Sequence, residues 1–335
     1  MSKNKLRFGI IGCSSIAQSS TIPAIVQSKF AELKMIGSRS KERGKKFAEE
    51  FNCKKYGSYD EVLENNEVDA VYISVPVSLH EEWTIKAAKS GKHILCEKSS
   101  SSSYESAKRM VACSKQNNVR IMEGFMFRFH PSHRKVHEMI NSGYLGTIFS
   151  FYGQYGFPPI PHEDIRFKKE LGGGVLNDAG CYPICASRII FGKEPIRVTC
   201  HLTIDSESGV DTKAVVFLKY GDQKFANIVV GYDLFYQSMY SIWGSEGFLR
   251  LSRAYNILPD MKASLIVNSS IKNQEILIKP HNHFKLMIDN FVKEIIHPTS
   301  AAFNFEDDLL KQAKVMEAAR LSHKKQSFIL IKNIK

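Results

Sequence analysis

The sequence predicts an α/β protein in which an amino-terminal, doubly wound parallel sheet precedes an α+β region with a large, open, mostly antiparallel sheet. Through residue 124, short apolar runs alternate with amphipathic stretches of helical spacing, as in a parallel sheet covered by helices. From residue 125 onward, several β-like runs follow one another without intervening helices, as expected of an antiparallel sheet. We therefore predict one domain over residues 1–124 and another over residues 125–335, whose last helices can pack back on the first domain.

The first region repeats a step of strand then helix. Continuous apolar runs predict strands at residues 6–11, 31–38, 68–76, 92–98 and 119–124. Apolar residues at helical spacing predict helices at residues 16–28, 41–51, 80–90 and 103–117. This alternation is the pattern of strands joined by crossover helices.

The second region is richer in strands. Its predicted helices are residues 131–143, 174–191, 282–296 and 304–323. Its β-like runs are residues 147–157, 195–205, 211–220, 224–232, 238–251, 262–268 and 273–279. Runs of strands beside separate helices indicate an α+β arrangement.

Composition excludes several classes of protein. The chain has 335 residues, of which 43% are hydrophobic and 24% charged, as in globular proteins, and no apolar run is long enough for a membrane span. The basic start runs through a short apolar stretch into a glycine turn, so we predict no targeting segment. The net charge of +12 suits phosphate-bearing ligands, but no basic stripe carries interleaved aromatic residues, so we predict no nucleic-acid partner. Seven scattered cysteines without CxxC pairs indicate reduced thiols in the cytoplasm.

The serine run in "ILCEKSSSSSYESAKRM" (residues 94–110) lies between a predicted strand and a predicted helix. Ser102 followed by Glu105 fits a capping box at the start of that helix. We therefore interpret the serines as a βα loop and not as an interdomain linker. Lys98 then ends a parallel strand, where ligands gather in open α/β sheets.

The first strand leads into a candidate dinucleotide turn. In "FGIIGCSSIAQ", three small residues have the G-x-G-x-x-G/A spacing, with serine in place of the second glycine. Such a turn points helix amides at a pyrophosphate, whereas a simple glycine turn after a strand is the alternative. We predict a Rossmann domain, with cofactor contacts from Gly12, Cys13, Ser14, Ser15 and Ile16.

The second strand indicates which nicotinamide cofactor binds. It ends in "IGSRSKER", with no acidic residue among Ser38, Arg39 and Ser40. Sites for NAD place a carboxylate there to bind the ribose, and an arginine instead attracts a 2′-phosphate. We predict that NADP(H) is preferred, with NAD(H) as the alternative cofactor. The alternative for Arg39 is a solvated loop charge.

Five motifs in order make the chain similar to a known family. They are "GIIGCSSIA", "VDAVYISVPVSLH", "GKHILCEK", "EGFMFRFHP" and "GGGVLNDAGCYP". With this set, residues 5 to 325 resemble the Gfo/Idh/MocA oxidoreductases, NAD(P)-dependent enzymes that act mainly on sugars and polyols. The resemblance implies that the second domain carries a large open sheet that joins subunits into a homodimer or homotetramer.

The resemblance assigns catalytic roles to Lys98, Asp178 and Tyr182. Lys98 matches the lysine of the family's E-K-P motif, in which Ser99 here replaces the proline. Asp178 and Tyr182 are four residues apart and so predicted on one helix face. Without the resemblance, Asp178 is interpreted as a carboxylate favoured at a helix start, and Tyr182 as a packing residue.

The resemblance also implies further cofactor contacts, at Val75, Pro76, His80, Glu97 and Lys98. The asparagine usual after that proline is Val77 here, so one polar contact of the family is missing. Tyrosine at residue 182 resembles the branch with glucose–fructose oxidoreductase, dihydrodiol and xylose dehydrogenases, and ketoreductases of nucleotide-linked deoxysugars.

The predicted chemistry follows from charge. A hydride that reaches a carbonyl carbon leaves an alkoxide, which needs a proton and a nearby positive charge. Tyr182 and Lys98 can each deliver the proton, and Asp178 is predicted to orient either the sugar hydroxyls or the lysine.

The predicted substrate contacts are Arg128, His130, Arg166, Asp178 and Tyr182. Arg166 can bind a phosphate or a sugar hydroxyl, and a surface salt bridge is the alternative. We predict no metal.

The leading hypothesis is an NADP(H)-dependent oxidoreductase that reduces a keto-sugar, free or nucleotide-linked. The alternatives are an NADP-dependent aldose or trans-dihydrodiol dehydrogenase, an enzyme of redox-assisted glycoside cleavage, and a non-catalytic NADP-binding regulator. The complete set of Lys98, Asp178 and Tyr182 argues against the regulator, since binding alone needs none of the three.

Overall fold

The computed structural model describes residues 5–221, 223–270, 272–298 and 303–335. These residues form two compact units. The first runs to Met126 and also includes Phe284–Leu310, whereas the second comprises Phe127–His283 and Lys311–Lys335. The first unit thus contains a late segment that the predicted division at residue 125 assigns to the second domain.

Nine α-helices occur in the described residues. Their bounds are α1 (Ile22–Gln27), α2 (Lys41–Glu50), α3 (Tyr59–Glu64), α4 (His80–Lys89), α5 (Tyr104–Gln116), α6 (Pro131–Asn141), α7 (Cys181–Phe191), α8 (His283–Ile296) and α9 (Phe305–Lys325). Two of these helices continue from π-helical turns, Ala17–Thr21 before α1 and Leu176–Gly180 before α7. The helix α3 is absent from the sequence prediction. No helix in the described part of the chain combines the length and apolar character needed to cross a membrane.

The first unit is built on a six-stranded parallel sheet. Its strands are β1 (Leu6–Ile11), β2 (Ala31–Gly37), β3 (Tyr56–Gly57), β4 (Ala70–Ile73), β5 (His93–Cys96) and β6 (Ile121–Glu123). Their order, β3-β2-β1-β4-β5-β6, is that of a doubly wound dinucleotide-binding fold. The predicted fold class of this half is confirmed.

Burial on both faces explains why these strands are almost wholly apolar. Phe8 and Ile10 in β1 and Val71 in β4 have no exposed surface, as expected where helices cover both faces of a sheet. The late segment contributes to this core, because Phe291 of α8 lies against Phe8 with ring centroids 6.1 Å apart.

Helix α5 begins one residue later than predicted. Ser103 precedes the helix, and its hydroxyl accepts a hydrogen bond from the Ser106 amide at 3.1 Å. The capping box predicted from Ser102 and Glu105 is therefore wrong. The interpretation of the serine run as a βα loop is confirmed, since it connects β5 to α5.

The second unit is built on a nine-stranded mixed sheet. Its strands are β7 (Ile148–Gly156), β8 (Arg197–Ile204), β9 (Asp211–Tyr220), β10 (Lys224–Gly231), β11 (Gln237–Gly244), β12 (Gly247–Leu251), β13 (Ala263–Ser269), β14 (Gln274–Ile278) and β15 (Ile329–Leu330). Their order is β14-β13-β12-β11-β7-β10-β9-β8-β15. Among the described strands of this sheet, only β7 and β10 pair in parallel, so the prediction of a large, mostly antiparallel sheet is confirmed. The predicted run 238–251 is two strands, because the chain turns at residues 245 and 246.

One face of this sheet carries α7. A side chain at Gly153, in the middle of β7, would come within 2.7 Å of Pro183 of α7. The glycine therefore allows the helix to pack closely on the central strand, and this packing places the turn before α7 at one end of the sheet.

Candidate functional site

The turn after β1 requires glycine. Gly12 has a φ of +108°, and a Cβ there would lie 3.0 Å from the backbone of Ser74. The Ser74 hydroxyl donates a hydrogen bond to the Gly12 carbonyl at 2.8 Å, and the Gly12 amide donates to the Gly37 carbonyl at 3.2 Å. The turn is thus fixed between the ends of β2 and β4, where a doubly wound fold binds its cofactor.

The residues that follow form the start of a helix. The hydroxyl of Ser14, at the position of the motif's second glycine, accepts a hydrogen bond from the Ala17 amide at 3.1 Å. Cys13 is buried, and burial raises the pKa of its thiol. Ser15 is exposed and Ile16 is half-buried. The start of a helix after the first strand is where such folds hold the diphosphate of a dinucleotide.

The end of β2 also fits a phosphorylated ribose. Ser38 is buried, and Arg39 is exposed. The Ser40 hydroxyl accepts from the Arg43 amide at 3.2 Å and donates to the Glu42 carboxylate at 2.9 Å, so Ser40 caps the start of α2. The residues thus offer serine and arginine groups where an NAD site carries an acid.

Sequence reasoning missed Arg43 at this position. Burial raises the pKa of Tyr59 and that of Cys13; the charges of Arg39 and Arg43 oppose the rise at Tyr59, and the charge of Arg43 opposes it at Cys13. Two arginine charges therefore act at the end of β2. The spacing of four residues in "RSKER" was the available signal.

The loop after β5 carries Lys98 between buried partners. Glu97 is 8% exposed. One of its oxygens accepts from the Tyr72 hydroxyl at 2.5 Å, and the other accepts from the Lys98 amide at 3.2 Å. Burial raises the pKa of Glu97. Lys98 itself is half-buried, and its peptide bond to Ser99 is cis.

His80 holds the same loop from the other side. Its Nε2 lies 2.8 Å from the Val75 carbonyl, and its Nδ1 lies 3.0 Å from the Ser99 carbonyl and 3.2 Å from that of Ser100. Burial lowers the pKa of this imidazole. The Glu123 carboxylate accepts from the Ser100 amide at 2.8 Å. His80 therefore joins the loops after β4 and β5, while Pro76 beside it is half-buried.

In the second unit, Asp178 lies in the π-helical turn before α7. Its Oδ2 accepts from Arg166 Nε at 2.7 Å, and Arg166 Nη1 also lies 3.1 Å from Asp164 Oδ1. The structure thus brings two predicted substrate contacts together as an ion pair. The Asp178 carboxylate is the largest cause of the raised pKa of Arg166.

Tyr182 belongs to a cluster of aromatic rings. It is 5% exposed. Its ring centroid lies 5.3 Å from that of Tyr155, 5.8 Å from Tyr255 and 5.9 Å from Phe127. These contacts fix the plane of the ring, which a positioned proton donor requires.

The two remaining candidates lie before α6. Arg128 is half-buried. His130 is buried, and its Nδ1 accepts from the Ser132 amide at 3.2 Å at the start of α6. Burial lowers the pKa of His130 to about 4. His281 and His283 contact its ring, although no three histidine, cysteine or acidic residues in the described ranges are arranged to hold a metal ion.

Comparisons with known proteins agree with this geometry. The model of an oxidoreductase family with an NAD-binding Rossmann fold, Gfo/Idh/MocA, matches residues 6–125, and the model of the C-terminal domain of Gfo/Idh/MocA proteins matches residues 133–250. The chain is 31% identical over 320 residues to a dTDP-3,4-didehydro-2,6-dideoxy-alpha-D-glucose 3-reductase of Actinomadura kijaniata, covering 95% of each chain. It is 32% identical to D-xylose 1-dehydrogenase (NADP(+)) 2 of Haloferax volcanii, covering 87% of this chain and 89% of that one.

A solved structure is similar over nearly the whole chain. It is a 3-ketoreductase from Actinomadura kijaniata in complex with NADP and TDP-benzene, with a TM-score of 0.90 and 30% identity, covering 95% of this chain and 98% of that chain. Structures of the same reductase also exist for variants in which one tyrosine or one lysine is replaced.

Proposed function

Because the chain belongs to the Gfo/Idh/MocA family of oxidoreductases, we propose that it is an NADP(H)-dependent enzyme that reduces the carbonyl of a nucleotide-linked keto-sugar. The observation that carries the proposal is Lys98, which follows a strand of the dinucleotide-binding sheet in a loop fixed by buried partners. The similarity to an NADP-bound 3-ketoreductase over 95% of the chain supports the direction and the substrate class.

The proposed roles follow from the chemistry of each side chain. A bound nicotinamide supplies the hydride. The ammonium of Lys98 donates a hydrogen bond to the substrate oxygen and stabilises its negative charge. As the family resemblance implies, Tyr182 is the proposed proton donor, and Asp178 is proposed to accept hydrogen bonds from sugar hydroxyls. In oxidation the same groups act in reverse.

Activity with a panel of substrates tests this proposal. Nicotinamide absorbance is followed with NADPH or NADH against nucleotide-linked keto-sugars, and with NADP⁺ or NAD⁺ against free aldoses and trans-dihydrodiols. We expect turnover of a keto-sugar with NADPH. Turnover only of an aldose or a dihydrodiol with NADP⁺ favours the dehydrogenase alternative, to which the similarity with xylose dehydrogenase points. NADPH binding without turnover of any substrate indicates a regulator.

Arg39→Ala tests the preference for NADP(H). We expect it to lower the affinity for NADPH about 10- to 150-fold, which is the factor that corresponds to the free energy of one hydrogen bond to a charged group. Binding of NADH should be unchanged. Fluorescence titration of both cofactors measures the effect. Lys45→Ala is the matched control, since Lys45 is an exposed cation of the neighbouring α2, paired with Glu49. Equal loss of affinity for both cofactors contradicts the assignment.

We propose that the nine-stranded sheet joins two copies of the chain. On the face opposite α7, Phe225 and Trp243 both pair with Ser150, and Trp243 is 61% exposed. Phe217 stacks on Phe225 with centroids 5.4 Å apart. Exposed and stacked aromatic side chains on an open sheet face are typical of a surface that another subunit covers.

Sedimentation velocity measures the oligomeric state. We expect the wild type to sediment as at least a dimer of the 37.9 kDa chain. Trp243→Glu places a charge in the interface and shifts the protein to monomer. Phe235→Glu is the control, because Phe235 is 86% exposed in the loop between β10 and β11. A wild type that sediments as a monomer contradicts the proposal.

We also propose that the enzyme works in the cytoplasm. All seven cysteines are free thiols and buried. Thiols persist where the compartment is reducing, whereas secreted proteins commonly pair them. Cell fractionation measures this location.

A further inference from the structure

We propose that Arg166 is a positioning residue: Asp164 fixes its guanidinium, which in turn holds the Asp178 carboxylate in one orientation for the hydroxyls of a sugar. The inference rests on the proposed function and goes beyond it, because it assigns Arg166 to the orientation of Asp178 instead of to a substrate phosphate. It depends on contacts within the second unit alone.

The backbone brings Arg166 to the segment before Asp178. The Gly174 amide donates to the Arg166 carbonyl at 3.0 Å, and a Cβ at Gly173 would lie 2.4 Å from the same oxygen. The Asp178 amide in turn donates to the Gly174 carbonyl at 3.1 Å. The glycines of "GGGVLND" therefore let the two loops touch, so the two side chains leave backbones that are already joined.

The guanidinium of Arg166 lies between two carboxylates. Its Nε donates to Asp178 Oδ2 at 2.7 Å, and its Nη1 contacts Asp164 Oδ1 at 3.1 Å and Oδ2 at 3.2 Å. Asp164 also accepts from the Arg166 amide at 2.9 Å. Because a guanidinium is planar and its donors have fixed directions, these contacts leave Arg166 little freedom and transmit its orientation to Asp178.

The exposure of the Asp178 and Arg166 side chains fits this role. The Asp178 side chain is 19% exposed, against 40% for Arg166. Water and salt screen an ion pair less when one of its side chains is partly buried than when both are fully exposed, so the attraction between the two charges is stronger. Asp178 is thus the member that burial and Arg166 together restrain.

The charge of this array decides which part of a substrate it suits. Asp164 and Asp178 carry two negative charges against the single positive charge of Arg166. A phosphate brought to the array meets net repulsion, whereas neutral hydroxyl groups donate hydrogen bonds to carboxylates. The array therefore suits the sugar ring, and Arg166 does not anchor the diphosphate.

Two variants measure the positioning role. Arg166→Ala is expected to lower kcat/KM for the keto-sugar about 10- to 150-fold, the value of a hydrogen bond to a charged group. Millimolar guanidinium chloride is expected to restore part of the loss, since the added cation can occupy the space beside Asp178. Asp164→Asn is expected to have a smaller effect, because it weakens only the ion pair between Asp164 and Arg166 and leaves the pair between Arg166 and Asp178. Arg134→Ala is the control, as Arg134 forms an exposed pair with Glu138 on α6.

Further measurements separate this role from the alternatives. NADPH affinity and inhibition by TDP are expected to be unchanged in Arg166→Ala. Weaker inhibition by TDP shows instead that Arg166 binds phosphate and overturns the inference. A lowered melting temperature with no rescue by guanidinium also overturns it, since Arg166 then acts only in folding.

The inference and the proposed function can fail separately. A wild type that reduces no sugar contradicts the proposed function. In that case crystal structures of the wild type and Arg166→Ala decide the inference: a re-oriented Asp178 carboxylate in the variant supports it, and an unchanged one overturns it.

Discussion

Replacing Lys98 by alanine is expected to lower kcat about 10²- to 10³-fold, the usual cost of losing one group that stabilises a developing oxyanion. The loop itself should remain in place. Glu97 binds the Lys98 amide at 3.2 Å and His80 binds the Ser99 carbonyl at 3.0 Å, and alanine retains both backbone groups. Binding of NADPH should therefore survive while turnover is lost.

Steady-state kinetics and fluorescence titration measure these two effects separately. Lys89→Ala is the matched control, since Lys89 is exposed at the end of α4. Full turnover in Lys98→Ala contradicts its catalytic role. Parallel loss of NADPH binding shows that the lysine serves the cofactor instead of the reaction.

Replacing Tyr182 by phenylalanine is expected to lower kcat about 10²- to 10⁴-fold, the range for a positioned general acid. The variant keeps the ring contacts with Tyr155 and Phe127, so the fold should be unaffected. Retention of the wild-type rate identifies Lys98 as the group that delivers the proton. The experiment therefore separates the two proton donors that the sequence leaves open.

The control for this variant comes from the same aromatic cluster. Tyr255 lies 5.8 Å from Tyr182, and its hydroxyl donates to the Met239 carbonyl at 3.3 Å. Tyr255→Phe loses a buried hydrogen bond worth about 1 kcal/mol but has no role in the chemistry. We expect it to lower the melting temperature and leave kcat unchanged, which thermal unfolding and steady-state assays measure.

The parallel sheet was predictable because its strands are buried on both faces, which leaves continuous apolar runs in the sequence. The strand β3 has only two residues and α3 only six, so neither is long enough to show a period. The break between β11 and β12 depends on distant partners. The amide of Ser245 donates to the Thr147 carbonyl and that of Glu246 to the Leu145 carbonyl. Because these partners lie far away in the sequence, residues 238–251 alone do not predict the bonds.

The candidate site shows the same limit. The position of Lys98 at a strand end follows from the order of strands and helices. The residues that hold the Lys98 loop in place cannot be predicted in this way, because Tyr72 and Glu123 come from other strands of the sheet. The pair of Arg166 and Asp178 is equally hidden, since the loop between them has no periodicity and the contact exists only after the glycines bring the backbones together.

The late segment that completes the first unit has a consequence for synthesis. Glu306 binds Arg120 at 2.8 Å and the Ile121 amide at 3.1 Å, beside β6. Phe284 is made roughly 160 residues after Met126, about 10 to 30 seconds later at ordinary ribosomal speeds. During synthesis, the apolar surface of the amino-terminal sheet that Phe284–Leu310 covers therefore stays exposed until nearly the whole chain has been made. A gene fragment ending near residue 126 is expected to yield an aggregating product.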